Sequence, residues 1–184
     1  ISAVGGKARR GKKSQATGFD NGLGYKPWWI AQHLVAKNAY SNVSASPGLD
    51  DYFLARAKKV GKKIGGLESV DEHVAVLGGL SDRDGEIILR DALTPQKNAA
   101  ARRDRMRQAW RKGDTAVLWA RDARFRRKAP WIAARFVDER NRKWVSRIET
   151  ELDSGRPTAI VAGALHFCGP NSIVRLLEKR GYKI

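Results

Sequence analysis

The sequence predicts an α/β fold, mostly helical, with a small and mainly parallel central sheet. Two segments predict the sheet. Residues 158–167, "TAIVAGALHF", are apolar on both alternating faces, the pattern of a central parallel strand covered by helices on each side. Residues 62–68, "KKIGGLE", read as a second, short strand ending at Glu68. Apolar residues at three- and four-residue steps occupy most of the remaining chain and predict the helices.

A length of 184 residues allows one good-sized core, or one domain with an appendage. Hydrophobic content of 42% with six Trp excludes a disordered chain. The single cysteine, Cys168, leaves no internal disulfide, so the fold does not depend on oxidation. That suits a reducing compartment and leaves the periplasm open. No apolar run approaches the ~18 residues of a membrane span, and no signal-peptide pattern opens the chain. Because it begins at Ile1 and not Met, upstream residues are expected to be missing or removed.

The formal charge of +17 is regional. Residues 27–100 balance nine basic against nine acidic side chains, whereas residues 101–128 hold eleven Lys/Arg against Asp104, Asp114 and Asp122. A solvated helix face is the plainer explanation of that run, and contact with nucleic acid the sharper one.

Residues 1–26, rich in Gly, Lys, Arg and Ser, are expected to form a basic flexible arm or loop, with the folded domain spanning 27–184. Pro27 opens a helix whose stripe includes Trp28 or Trp29, Ile30, Leu34 and Tyr40. A second helix follows from Pro47, with Leu49, Tyr52, Phe53, Ala57 and Val60 on one face and Gly61 as its stop. Ser69-Val-Asp-Glu72 has the form of a capping box and starts the next helix directly after Glu68. Residues 81–128 read as wholly helical, with Thr94-Pro95 opening one helix and Gly113-Asp114 separating it from the next. One more helix runs from about Pro130 to Leu152 with Ile132 or Ala133, Phe136, Val137, Trp144, Ile148 and Leu152 as its stripe. Gly169-Pro170 then opens a last helix, Gly181 stops it, and "YKI" is a short strand.

Two polar residues interrupt the Pro130–Leu152 stripe. Arg140 lies four after Phe136 and four before Trp144, and Asn141 lies four after Val137 and three before Trp144. Both therefore point inward, and inward polar groups need partners. A packed Arg stem with its head on solvent or on Glu139 explains Arg140 as well as a functional anion does. His166 and Glu68 each end a strand and precede a helix start, so parallel neighbouring strands would bring them together at the C-terminal edge of the sheet, where α/β folds bind ligands. Gly163 would let the strand backbone lie close to a ligand or a neighbour.

An imidazole and a carboxylate are usual ligands of a divalent metal, but a catalytic centre takes about three protein ligands and an open position. His33 lies mid-helix, and His73 follows the capping Glu72 with no ligand one turn on. No HExxH, CxxC or phosphate-binding glycine loop occurs. Cys168, two residues from His166, is weak evidence for a nucleophile.

Three ordered blocks, "GLDDYFLARAKKVGKKIGGLESVDEHVAVL", "VDERNRKWVSRIETEL" and "TAIVAGALHFCGPNSIVRLLEKRGYKI", resemble the back half of the TraB/GumN family, which includes Tiki-type metalloproteases. The likeness runs from about Pro27 to Ile184. It implies an α/β fold with two Gly-x-x-His motifs, an acid, and an Arg/Asn pair at the site. On matching motifs, His166 closes the second Gly-x-x-His, Glu68 is the acid, and Arg140 and Asn141 are the pair. His166 and Glu68 would then hold a divalent metal, Mn²⁺, Co²⁺ or Zn²⁺, with Glu68 as ligand or general base. Arg140 and Asn141 would stabilise oxyanion charge or hold the carboxylate.

The first Gly-x-x-His is absent, which implies that the N-terminal part of the fold is missing, or that this is a truncated, inactive member. The function expected is a metal-dependent, peptidase-type hydrolase acting on peptide or protein, its site completed by a missing N-terminal segment or a partner chain. The resemblance places it in the periplasm or cell envelope. The alternatives are a basic module binding nucleic acid or another polyanion, and an inactive member acting through protein contacts.

Overall fold

The computed structural model describes residues 24–40, 48–95 and 97–184, apart from the side chains of 38–40. The basic arm expected over 1–26 therefore lies outside the described residues up to residue 23. So does the Tyr40 side chain of the first stripe.

The described residues are helical and contain no strand. In chain order they form α1 (Pro27–Tyr40), α2 (Leu49–Lys59), α3 (Val70–Gly78), α4 (Asp82–Leu93), α5 (Ala99–Lys112), α6 (Thr115–Lys128) and α7 (Pro130–Ala133). A π-helical turn, Ala134–Asp138, joins α7 to α8 (Glu139–Asp153). A 3₁₀ turn, Ala164–Phe167, precedes α9 (Ile173–Glu178). Short polar side chains start these helices by accepting otherwise unpaired amides. Ser81 accepts from Asp84 N, Asp114 from Val117 N, and Ser172 from Arg175 N. The capping box of α3 is present in full, Ser69 Oγ accepting from Glu72 N and Glu72 Oε2 from Ser69 N.

The expected central sheet, and with it the α/β class, is overturned. A strand needs a neighbour's backbone ladder, and neither apolar segment finds one among the described residues. Residues 158–163 run extended, but with one face packed and not two. Ile160 and Ala162 lie against the core, while Ala159, Val161 and Gly163 are exposed. Of residues 62–68 only Leu67 joins that core, and Tyr182 packs there without forming a strand. Two helix starts also shift. After Thr94, α5 begins at Ala99 beyond an Asn98 in left-handed backbone, and α9 begins at Ile173, with Ser172 and not Pro170 setting its start.

The helix expected from Pro130 to Leu152 is continuous but carries the π turn. Its buried residues show the insertion directly. Ile132 pairs with Val137 and Ala133 with Asp138, each five residues on, which brings Asp138 to the buried side beside Val137. A π turn holds one extra residue, which produces that spacing. Below it the helical period resumes with Asn141, Trp144, Val145 and Ile148 buried, while Leu152, expected in the stripe, is 46% exposed. The turn carries Asp138 inward, where Arg126 Nη1 donates to it at 2.9 Å. Arg126 also pairs with Asp122 and lies over the Trp119 ring.

Two apolar clusters hold the site region. Trp144, Val145 and Ile148 of α8 pack on Ile173 and Leu177 of α9. Ala109 of α5, Leu118 of α6 and Cys168 form the other. The 3₁₀ turn and the loop after it lie between them, and Gly169 is the tight point. Its φ is +81°, and a Cβ there would sit 2.5 Å from the Trp119 ring. No neighbouring backbone comes close to Gly163, where a Cβ would meet only His166 Cδ2 at 3.7 Å. Gly169→Ala is expected to lower unfolding free energy by about 2–5 kcal/mol, from left-handed backbone and overpacking together. Gly163→Ala is expected to change it by less than about 1 kcal/mol, both read by urea denaturation.

Candidate functional site

Of the four residues singled out from the sequence, Glu68, Arg140 and His166 meet on one side chain that was not, Trp144, and Asn141 joins them through His166. Helix α8 presents Arg140, Asn141 and Trp144 on its inner side, as their spacing requires. Glu68 comes from the residue preceding the α3 N-cap, and His166 from the 3₁₀ turn, where its N–H donates to Gly163 O at 2.9 Å. The route by which they meet is therefore a helix face and two loops, not adjacent strand ends.

The Glu68 carboxylate, 9% exposed, accepts from four donors. Arg140 grips both oxygens, Nη2 on Oε1 at 2.7 Å and Nε on Oε2 at 3.0 Å. Trp144 Nε1 donates to Oε2 at 3.1 Å, and His73 Nδ1 to Oε1 at 2.7 Å. Burial alone would raise the Glu68 pKa, but the hydrogen bonds from Arg140 and His73, the charge of Arg140 and the bond from Trp144 together leave it lowered. The carboxylate is thus ionised and can only accept. The Arg140 guanidinium also donates to Phe136 O and lies 4.6 Å from the Trp144 ring centroid.

The sequence reading passed over His73. Counted from the Ser69 cap, Glu68 is the residue before the cap and His73 the fourth within the helix, the two positions that meet in a hydrophobic staple. Here the same spacing joins an acid to an imidazole. Arg147 reinforces the same corner by donating to Leu67 O and to both oxygens of Glu72.

Asn141 is fully buried, and its amide orientation follows from its neighbours. Nδ2 donates to two carbonyls, Asn171 O at 2.7 Å and His166 O at 3.2 Å. Its Oδ1 therefore faces His166 Nδ1 at 2.6 Å, so that ring nitrogen carries the proton. Nε2 is left with the lone pair and has no partner among the described residues. The His166 ring stacks on Trp144 at 4.3 Å between centroids. Burial first, then the nearby Arg140 charge, lower its pKa from 6.5 to about 4, Glu68 opposing. At neutral pH His166 is an uncharged imidazole of fixed tautomer.

Cys168 is buried elsewhere, its Sγ donating to Ala164 O, and burial raises its pKa, so it is an inert thiol. His33 stays on α1, Nδ1 against Trp29 O and its ring against Trp29. An open cleft lies beside the His166 turn, lined by Thr115 and Trp119 from α6 and by Phe167, Gly169 and Ser172.

Two outcomes follow. A histidine whose folded pKa is depressed contributes stability above its unfolded pKa and loses it as pH falls through the folded value. Unfolding free energy is therefore expected to drop by up to about 3 kcal/mol between pH 6.5 and 4, and His166→Gln is expected to remove that drop. The Glu68 contribution is lost lower, below 4.5, and should survive in that variant. Separately, Glu68→Gln is expected to cost about 3 kcal/mol by leaving the Arg140 charge uncompensated. Adding Arg140→Met to it should recover part of that loss, as a double-mutant cycle would show.

No helix among the described residues is long and apolar enough to cross a membrane. No curated protein and no solved structure matches the chain. The model of the TraB/PrgY/gumN family matches residues 7–184, a span that takes in both helix α8 with its Arg140-Asn141 pair and the Gly163–His166 turn, and the chain belongs to that family.

Proposed function

We propose that these residues are the preorganised, histidine-bearing part of a metal-dependent, peptidase-type hydrolase. The observation that carries the reading is the Asn141–His166 pair. A fully buried amide fixes the imidazole tautomer so that Nε2 offers a lone pair at neutral pH, the arrangement that outer hydrogen bonds give to metal-ligating histidines. Trp144 holds the ring's flank, and Glu68 and Arg140 hold Trp144.

The described residues do not make a complete site for a resident divalent cation. They contain no group of three His, Cys, Asp or Glu side chains placed to hold one. Glu68 would act as ligand or base only after giving up one of its four donors. In this reading its work is to fix Arg140 and Trp144, and Arg140, already shared between Glu68 and Phe136 O, positions rather than stabilises an oxyanion. Mn²⁺, Co²⁺ or Zn²⁺, if held, would supply Lewis acidity and an acidified water. The remaining ligands would come from a segment outside the described residues or from a partner chain.

The four-donor saturation of Glu68 favours a second reading, an inactive member in which the same cluster is a structural clasp acting through protein contacts. Titration with Zn²⁺, followed by calorimetry and by the ¹⁵N resonances of the histidine rings, separates the two. The hydrolase reading expects a shift at His166 Nε2 and loss of that binding in His166→Gln. Binding that ignores this substitution, or no binding by the full chain together with any partner that completes it, leaves the clasp.

A further inference from the structure

The basic run of residues 101–128 folds as two consecutive helices, and the structure sorts its charges. Asp122 and Arg126 are consumed inside the α6–π-turn cluster, and Lys128 pairs with Asp91. Arg103, Arg105, Arg111, Lys112, Arg121, Arg124 and Arg127 are exposed and have no acidic partner among the described residues. The Arg107–Asp104 pair is itself 61% exposed on both sides, so solvent and salt leave it little worth.

The aromatics of the run divide the same way. Trp119 and Phe125 are partly buried, but Trp110 is 52% exposed. On the helical period Arg103, Arg107 and Arg111 run along one side of α5, and Trp110 lies at its edge, between them and Met106, which with Ala109 packs on the α6 core. Gly113, at φ +67°, closes α5 as Gly113 N and Asp114 N reach back to Trp110 O and Ala109 O, so the indole sits on a rigid last turn.

We propose that this side of α5 binds single-stranded nucleic acid, with phosphates on Arg103, Arg107 and Arg111 and an unpaired base stacked on Trp110. The chemistry selects this partner over other polyanions and over lipid. Guanidinium forks match phosphate oxygens in pairs, and the exposed indole beside them offers a flat stacking platform that suits a planar base. A helix lying on a membrane presents a broad apolar face, whereas α5 spends its apolar side on the Leu118–Cys168 cluster. A base within a duplex is already stacked, so the platform suits an unpaired strand.

The test is fluorescence anisotropy of a labelled oligothymidylate with the full chain, against heparin as competitor. Binding is expected to weaken steeply with salt. Trp110→Ala should weaken it about tenfold while Trp110→Phe keeps most of it. Replacing Arg103, Arg107 and Arg111 by Gln should cut the salt slope by about 2. All four side chains are exposed, so circular dichroism should report an intact fold. No binding at low salt, Trp110→Ala binding as tightly as the parent, or heparin displacing the strand at equal charge would each overturn the proposal. None of these outcomes depends on His166 or on metal.

Discussion

The carboxylate of Glu68 is the point on which the site's geometry rests, because it ties the start of α3 to the inner side of α8 through four hydrogen bonds. It sits at the exit of a loop with almost no buried residues, and its four donors come from α3 and α8. Arg140 alone would leave a guanidinium half-buried against Trp144 with one carbonyl to satisfy it. Bidentate pairing fixes the plane of that guanidinium, which in turn lies along the indole. Trp144 then has its Nε1 on Glu68 and its ring against His166. The imidazole is thus held between a Trp144 ring that Glu68 fixes and the Asn141 amide.

Asn141 performs the complementary task from within. Two backbone carbonyls, His166 O and Asn171 O, need donors, and one amide serves both while turning its oxygen to the His166 ring. A carboxylate in its place could not satisfy those carbonyls, and an apolar side chain would orphan them along with the ring nitrogen. The protonation state of His166 follows from the same burial, with Arg140 adding a like charge nearby. Geometry and electrostatics here have a single cause, the closure of α8 over the loop.

The π turn is what makes that closure compatible with the rest of the long helix. Above it, Ile132 and Ala133 face the core, and below it Asn141, Trp144 and Ile148 do so. Without an inserted residue the two halves would present different sides, and Asp138 would not reach Arg126. That ion pair, backed by Asp122 and the Trp119 ring, takes one of the eleven cations of the basic run out of solvent and leaves most of the others outside.

Local pattern determined much of this chain. The Ser69–Glu72 capping box, the inward pointing of Arg140 and Asn141, and the separation of α5 from α6 at Gly113 depend on interactions within a few residues, and each was readable. Composition was a poor guide to the sheet. Residues 158–167 have the two-sided apolarity of a buried strand, but a ladder requires a neighbour, and the described structure packs only Ile160 and Ala162 inward. The five-residue step of the π turn was hidden because Phe136 and Val137 fit an ordinary helical stripe equally well. Leu152 joined that stripe on paper and lies exposed because burial depends on what α9 covers. Sequence alone thus determined the family and singled out Glu68, Arg140, Asn141 and His166, which the fold brings together. Only tertiary structure decided that Trp144 binds them together, that His73 completes the grip on Glu68, and that Trp110 faces water, since each depends on contacts between segments distant in the chain or on their absence.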